Sequence, residues 1–379
     1  MGQPSRDNGL RTFGRTITGC NCGRVVGFSR AGEGGAPVMS TGSVAAGAVH
    51  PEGVPGDRLL DDGIGQLLHR MNPRRHSASA LGALVAALPR DGRLPAAVRT
   101  AAKHTAKRCE RESMVLPGLH FGQSGAVWAL LDAAHALADP KLMVRAAKLA
   151  GEIPVLSTNP DVCDGSAGAG LTLLHAWRVT GADEFLAKAA ECARHQEIDR
   201  GKYGFGHGIA GIAAFLLDHA LVTDDRHAHL KAMRVADELC DAAMWDRTAA
   251  RWPAGPGESI PLGGWCGDAA GVGSFLVRAW LATGDERYRK VADAAAAAVR
   301  ADQWTMATAS CHGVVENVEF LLDMAEATGD DRHREWALKT VSRLAWPDDT
   351  GLPVLVAALV RLVLPGRERL WMPPLRPAA

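Results

Sequence analysis

A series of apolar runs with almost no polar interruption punctuates the chain, and charged stretches with helical periodicity follow them. The apolar runs are SALGALVAAL, GQSGAVWALL, GSAGAGLTLL, GIAGIAAFLL, DAAGVGSFLV, GVVENVEFLL and a worn GLPVLVAALV. The charged stretches include DEFLAKAAECARH, DERYRKVADAAAAAVRA and DRHREWALKTVSRLA. A helix that is apolar all round must be buried, whereas an amphipathic one covers a core with a single face. Each repeat therefore predicts a buried helix followed by an outer one. The turns TGAD, TGDE and TGDD place a glycine where one helix stops and an aspartate where the next begins.

The fourth position of each motif is Gly82, Gly125, Gly168, Gly211, Gly271, Glu316 and Val354. The first three intervals are 43 residues each and the later ones 60, 45 and 38, which marks an insertion around 245–262. Alternating buried and exposed helices repeated about seven times predict an all-α, α,α-toroid fold, with the buried helices as an inner barrel. The motifs then share one mouth of that barrel. The domain expectation is an unstructured segment over 1–56, rich in Gly, Ser, Ala and Pro, and a toroid over 57–379.

Composition narrows the function. The 379 residues are 47% hydrophobic, ample for a large core, and 42 basic residues balance 42 acidic ones. No basic field is available for nucleic acid or anionic lipid. Arg6, Asp7, Arg11 and Arg15 interrupt any signal-peptide pattern, and the late apolar stretch LPVLVAALVRLVL is too short for a membrane span and carries Arg361. A cytoplasmic location and no membrane span are expected. The eight cysteines show no disulfide-framework spacing. Cys20 and Cys22 form an isolated C-x-C with no partner pair, and Cys163, Cys192 and Cys240 read as packing residues.

Equal offsets from the motif imply equal depth at the mouth. Cys266 lies five residues before Gly271, and Cys311 and His312 lie five and four before Glu316. His207 lies four before Gly211 and Asp161 seven before Gly168. A lone cysteine on an apolar helix is core, but two at one repeat offset, one followed by His-Gly, make a metal site. Thiolate and imidazole donors suit Zn2+, and three protein ligands leave the open position of a catalytic centre. His207 is the candidate general acid/base and Asp161 its orienting or proton-transferring partner, although either could cap a helix. Asp164 rivals Asp161, and Tyr203 is a candidate lining residue.

The motifs LPGLHFGQSG, PDVCDGSAGAGLTLLHAW, YGFGHGIAGIAAFLL, WCGDAAGVGSFL and CHGVVENVEFLLD resemble those of the lanthionine synthetase C-like cyclases, over about residues 75–375. They look most like the cyclase domains of kinase-containing class III and class IV lanthipeptide synthetases. The resemblance implies an α,α-toroid that adds a peptide cysteine thiol to dehydroalanine or dehydrobutyrine, closing a thioether ring. It implies zinc ligands at Cys266, Cys311 and His312, an active-site histidine at His207 and an active-site aspartate at Asp161. Class III cyclase domains typically lack the zinc ligands, so the set points towards class IV. The departures are Asp268 where the family has glycine, Leu262 where free-standing cyclases have arginine, and Gly267 where they have tyrosine.

No Gly-rich loop, H-R-D or D-F-G is present. The expected partners are therefore a dehydrated precursor peptide and a separate kinase/lyase or dehydratase, unless the chain is one piece of a split or truncated synthetase. Two other functions remain open at this point: a non-catalytic peptide-binding or scaffolding subunit, and a toroidal glycosidase using Asp161, Asp268 and Glu316.

Overall fold

The computed structural model describes residues 56–70, 78–111, 116–261, 265–302, 313–364 and 366–375. The segment 1–55, with Cys20 and Cys22, lies outside the described residues, as do Leu262, Cys311 and His312. The described elements run in order α1 (Gly56–Arg70), α2 (Ala78–Ala87), α3 (Leu94–Arg111), α4 (Ser124–Ala136), α5 (Pro140–Gly151), α6 (Ser166–Thr180), α7 (Asp183–His195), α8 (Ile209–Thr223) and α9 (Arg226–Asp241). After a hairpin of β1 (Met244–Asp246) and β2 (Ala249–Arg251) come α10 (Ala269–Thr283), α11 (Glu286–Asp302), α12 (Val314–Thr328), α13 (Asp331–Val341) and α14 (Leu352–Val363).

The even-numbered helices are the seven apolar runs. Each packs on the next, and α14 packs on α2, so they close into a ring. The odd-numbered helices stand outside, each against an even neighbour, with α1 on α14. Burial follows: α8 is buried along most of its length, whereas α9 buries chiefly Ala228, Ala232, Val235, Ala236, Leu239 and Cys240. This is an α,α-toroid.

The turn chemistry sets the helix ends. Gly181, Gly284 and Gly329 close α6, α10 and α12 in the left-handed region, at φ 70°, 72° and 70°. A side chain with a Cβ rarely adopts that conformation. Asp139, Asp225 and Asp330 then cap α5, α9 and α13 by accepting backbone N–H groups. The insertion departs from the all-helical expectation. Its two strands pair antiparallel, Met244 opposite Arg251, and turn through Arg247 at φ 54°. Strands of three residues carry too little alternation to be read from sequence.

Candidate active site at the mouth of the barrel

The loops that lead into α4, α6, α8 and α10 build the mouth. Each crosses back over its own helix, so the motif glycine lies under the carbonyl of the residue six positions earlier. A Cβ at Gly125, Gly168, Gly211 or Gly271 would collide with the carbonyl of Leu119, Val162, Phe205 or Trp265. The loops also bond to one another around the ring. Leu119 N–H donates to Val162 C=O (2.9 Å), Cys163 N–H to Gly206 C=O (3.1 Å) and Phe205 N–H to Trp265 C=O (3.1 Å). The chemistry-bearing side chains therefore stand on a fixed backbone.

His207 and Asp161 meet as a pair. His207 Nδ1 lies 2.8 Å from Asp161 Oδ2 and 3.8 Å from Asp164 Oδ2. Asp161 is itself fixed: its Oδ1 accepts the Asp164 N–H at 2.7 Å, and its N–H donates to Asn159 Oδ1. Burial and the neighbouring Asp161 charge raise the Asp164 pKa, against the pull of His207. An Nδ1–H held by a carboxylate leaves Nε2 as the imidazole lone pair. That Nε2 is buried and meets no hydrogen-bond partner among the described residues.

The thiols of Cys266 and Cys163 complete the group. These two sulfurs and one ring nitrogen of His207 all lie within 4.8 Å of one another. Cys266 stands on the loop before α10, as its repeat offset requires. Cys163, read from sequence as packing, stands beside it. The missed signal was available: Cys163 lies five residues before Gly168, the offset that singled out Cys266 and Cys311, and His120 lies five before Gly125. Cys192 and Cys240 do behave as packing residues, buried with thiol pKa values pushed up to about 12 by burial.

Aromatic groups wall the site. Trp265 stacks on Phe205 at 4.7 Å between centroids, and His120 lies 5.2 Å from both Trp265 and Trp371. Burial, then the neighbours His207 and Arg369, push the His120 pKa down to about 4, so it is neutral at physiological pH. Tyr203 is buried, and its N–H donates to Ala254 C=O of the insertion (3.0 Å).

The carboxylates other than the Asp161 and Asp164 pair are occupied elsewhere. Asp268 sits at the N-cap position of α10 without capping it. It reaches the insertion instead, accepting the Trp252 N–H at 3.4 Å, and burial raises its pKa to about 6. Glu316 accepts from Arg369 at 2.6 Å. The pair of opposed carboxylates that a glycosidase needs is thus not assembled from Asp161, Asp268 and Glu316.

The chain is a closed ring of helical hairpins, an α,α-toroid, with thiols, a carboxylate-held imidazole and aromatic walls gathered at one mouth. Residues 86–346 match the family described as lanthionine synthetase C-like protein, and the chain belongs to that family. It is an enzyme of the lanthionine-cyclase type. Among solved structures it is similar to nisin cyclase, with a TM-score of 0.60 and 13% identity over 81% of this chain and 98% of that one. That likeness shows the shared fold. A fainter one is to the unsaturated glucuronyl hydrolase of Bacillus sp. GL1, with a TM-score of 0.44 and 15% identity over 80% and 89% of the two chains. No curated protein matches the sequence significantly. Among the described residues, no helix is long and apolar enough to cross a membrane.

Proposed function

We propose that the chain is a zinc-dependent lanthipeptide cyclase of the class IV type. It adds cysteine thiols of a dehydrated precursor peptide to dehydroalanine or dehydrobutyrine, giving lanthionine or methyllanthionine. The observation that carries this reading is the His207 imidazole, held at Nδ1 by Asp161, beside thiols that a soft metal would use.

Zinc fits the residues present. The Cys266 and Cys163 thiols, within 4.8 Å of each other, offer soft donors in one place. Cys266, Cys311 and His312 would hold the ion, and when bound it would keep the substrate's thiol as a thiolate at neutral pH. His207 acts on the carbon side. Once the sulfur has bonded to the β-carbon, the π electrons move to form an enolate, and the imidazolium gives its proton to the α-carbon. Asp161 stabilises that imidazolium and fixes its orientation. The proton comes from the substrate thiol, so nothing is lost and the product is an isomer. Dehydration is the work of a separate kinase/lyase or dehydratase.

A synthetic peptide with one cysteine and one dehydroalanine tests the reading. Ring closure is read as protection of the thiol from N-ethylmaleimide, since mass does not change. Wild type should close the ring, and His207→Ala should slow it by about 10²–10⁴-fold. Metal-free protein working at the full rate would sink the proposal. The altered flanks Gly267 and Asp268 favour a second reading, a peptide-binding scaffold. Peptide capture without ring closure, indifferent to His207→Ala, would establish that one.

A further inference from the structure

Seven residues after the motif position, six of the inner helices carry an ionisable side chain. These are Asp132, His175, Asp218, Arg278, Asp323 and Arg361, on α4, α6, α8, α10, α12 and α14. Seven residues are about two helical turns, so this ring lies roughly 10 Å below the mouth. Its members bridge neighbouring helices. His175 lies 2.7 Å from Asp132, Arg178 holds Asp218 with both terminal nitrogens, and Arg278 and Arg361 share Asp323 at 3.2 and 2.9 Å.

Between α8 and α10 the ring opens, because Asp218 turns to α6 and Arg278 to α12. A cavity of about 410 Å³ lies in that gap. Leu217 and Leu221 of α8, Leu281 and Ala282 of α10, and Pro374 and Leu375 of the C-terminal segment give it apolar walls. Leu221 is 37% exposed and lies ten residues past Gly211, so the cavity opens at the end of the barrel opposite the mouth. Arg278 also lines it and is 6% exposed, and its Nε–H is buried without a partner among the described residues.

We propose that this cavity binds an uncharged, apolar stretch of the precursor peptide, remote from the residues being cyclised, with a backbone carbonyl on Arg278. That the peptide is a cyclase precursor rests on the function proposed above.

Two features select that ligand. The first is an example within the chain. Pro373 C=O accepts from Arg278 Nη2–H at 3.2 Å, and Pro374 and Leu375 lie against the cavity. A peptide carbonyl followed by proline and leucine is thus what Arg278 and these walls already hold. The second is charge. Inside the barrel the guanidinium groups of Arg278, Arg361 and Arg369 face the carboxylates of Glu316, Glu319 and Asp323, and Arg178 neutralises Asp218. An entering carboxylate would be a buried charge in excess, whereas an amide carbonyl satisfies the bare Nε–H without one. The volume falls within the range of ligand pockets, about 300–1,000 Å³.

Photolabelling reads the site directly. The probe is acetyl-Leu-Pro-photoleucine amide, whose diazirine inserts into neighbouring bonds on irradiation, and mass spectrometry maps the labelled residues. Label is expected on α8 around Leu217 and Leu221 and on α10 around Leu281 and Ala282. Ala282→Trp fills the cavity and should cut that label by about tenfold. Arg278→Met removes the donor and should cut it by about fivefold. Circular dichroism checks that Arg278→Met is folded, and if it is not, Ala282→Trp decides alone. The same peptide ending in a free carboxylate should label more weakly than the amide. Label confined to the mouth, label indifferent to Ala282→Trp, or stronger label from the free acid would each overturn the proposal. Ring closure by wild type, measured separately, keeps the two readings apart. Rings without label on α8 and α10 sink the cavity proposal alone. Label without rings sinks the cyclase reading and leaves the cavity as a peptide site.

Discussion

Two sectors of the same ring hold their mouths shut by different physics. From α4 to α10 each repeat roofs itself: a loop carbonyl presses onto the motif glycine, and the loops bond in series. Around α12 and α2 the described residues show a different cover, the C-terminal segment. Leu370 lies over Gly82, where a Cβ would collide with it. Arg369 binds Glu316 at 2.6 Å, Asp323 at 3.1 Å and Ser274 at 2.9 Å. Arg278 and Arg361 join from α10 and α14, so three guanidinium groups meet Asp323, Glu316 and Glu319 inside the barrel. A glycine contact is steric and independent of conditions. A buried ionic cluster is directional and depends on every member being present.

Removing one charge should therefore do the most damage. Arg369→Met leaves Glu316 without its guanidinium and should cost about 3–5 kcal/mol in urea unfolding. The double variant Arg369→Met, Glu316→Leu should recover most of that loss, because no charge is then stranded. If the double variant is no better than the single, the cluster is not acting as paired charge.

The glycine sector should break next. Gly271→Ala drives a Cβ into the Trp265 carbonyl, and relief requires moving the loop that carries Cys266. A loss of about 3 kcal/mol is expected, with weakened metal binding. Gly65→Ala in α1 is the control, since nothing lies within 4 Å of its would-be Cβ. It should gain about 0.5–1 kcal/mol from helix propensity. Equal behaviour of the two variants would remove the steric account.

Acid should separate the sectors again. Burial alone would raise the Asp323 pKa, but Arg278, Arg361 and Arg369 outweigh it and hold the carboxyl at about 2. A depressed folded-state value stabilises the protein above the unfolded pKa near 4, and that stability is lost as pH falls from about 4 through 2. The gap between wild type and Asp323→Asn should thus narrow by about 2 kcal/mol between pH 5 and 2. A gap that stays constant over that range would show that Asp323 does not titrate against the arginines.

The two sectors were also unequally legible. The glycine motifs, their 43-residue spacing and the aspartate caps specify the inner ring from sequence, because each is a local signal repeated. Residues at one offset from the motif, Cys266 and, with hindsight, Cys163 and His120, follow from the same repeat. Asp161 and His207 come together because their loops are hydrogen-bonded neighbours, which the offsets imply. The C-terminal clamp has no such signature. Arg369 and Trp371 lie in a stretch without periodicity, and their partners are 46 or more residues away for Asp323 and Glu316. Arg278 and Arg361 look like isolated charges in apolar helices until the third dimension pairs them. The hairpin was equally hidden, since strand pairing that short depends on what it packs against.

Asp268 joins these two kinds of structure, and the smallest expected effect tests it. It replaces the family's glycine on the Cys266 loop, yet its carboxylate faces the insertion, where it accepts the Trp252 N–H. Trp252 is fully buried, and its indole N–H donates to Leu239 C=O at 2.7 Å. Trp252 thus ties the insertion to the mouth through one weak bond and to α9 through a strong one. Asp268→Ala should strand the Trp252 N–H and cost about 1–2 kcal/mol. Asp268→Asn keeps an acceptor oxygen and removes the buried charge, so it should cost less than about 0.5 kcal/mol or gain slightly. Hydrogen exchange at the Trp252 amide should quicken in the alanine variant alone. Equal losses in both variants would mean that the carboxylate charge, and not the hydrogen bond, is what the insertion needs.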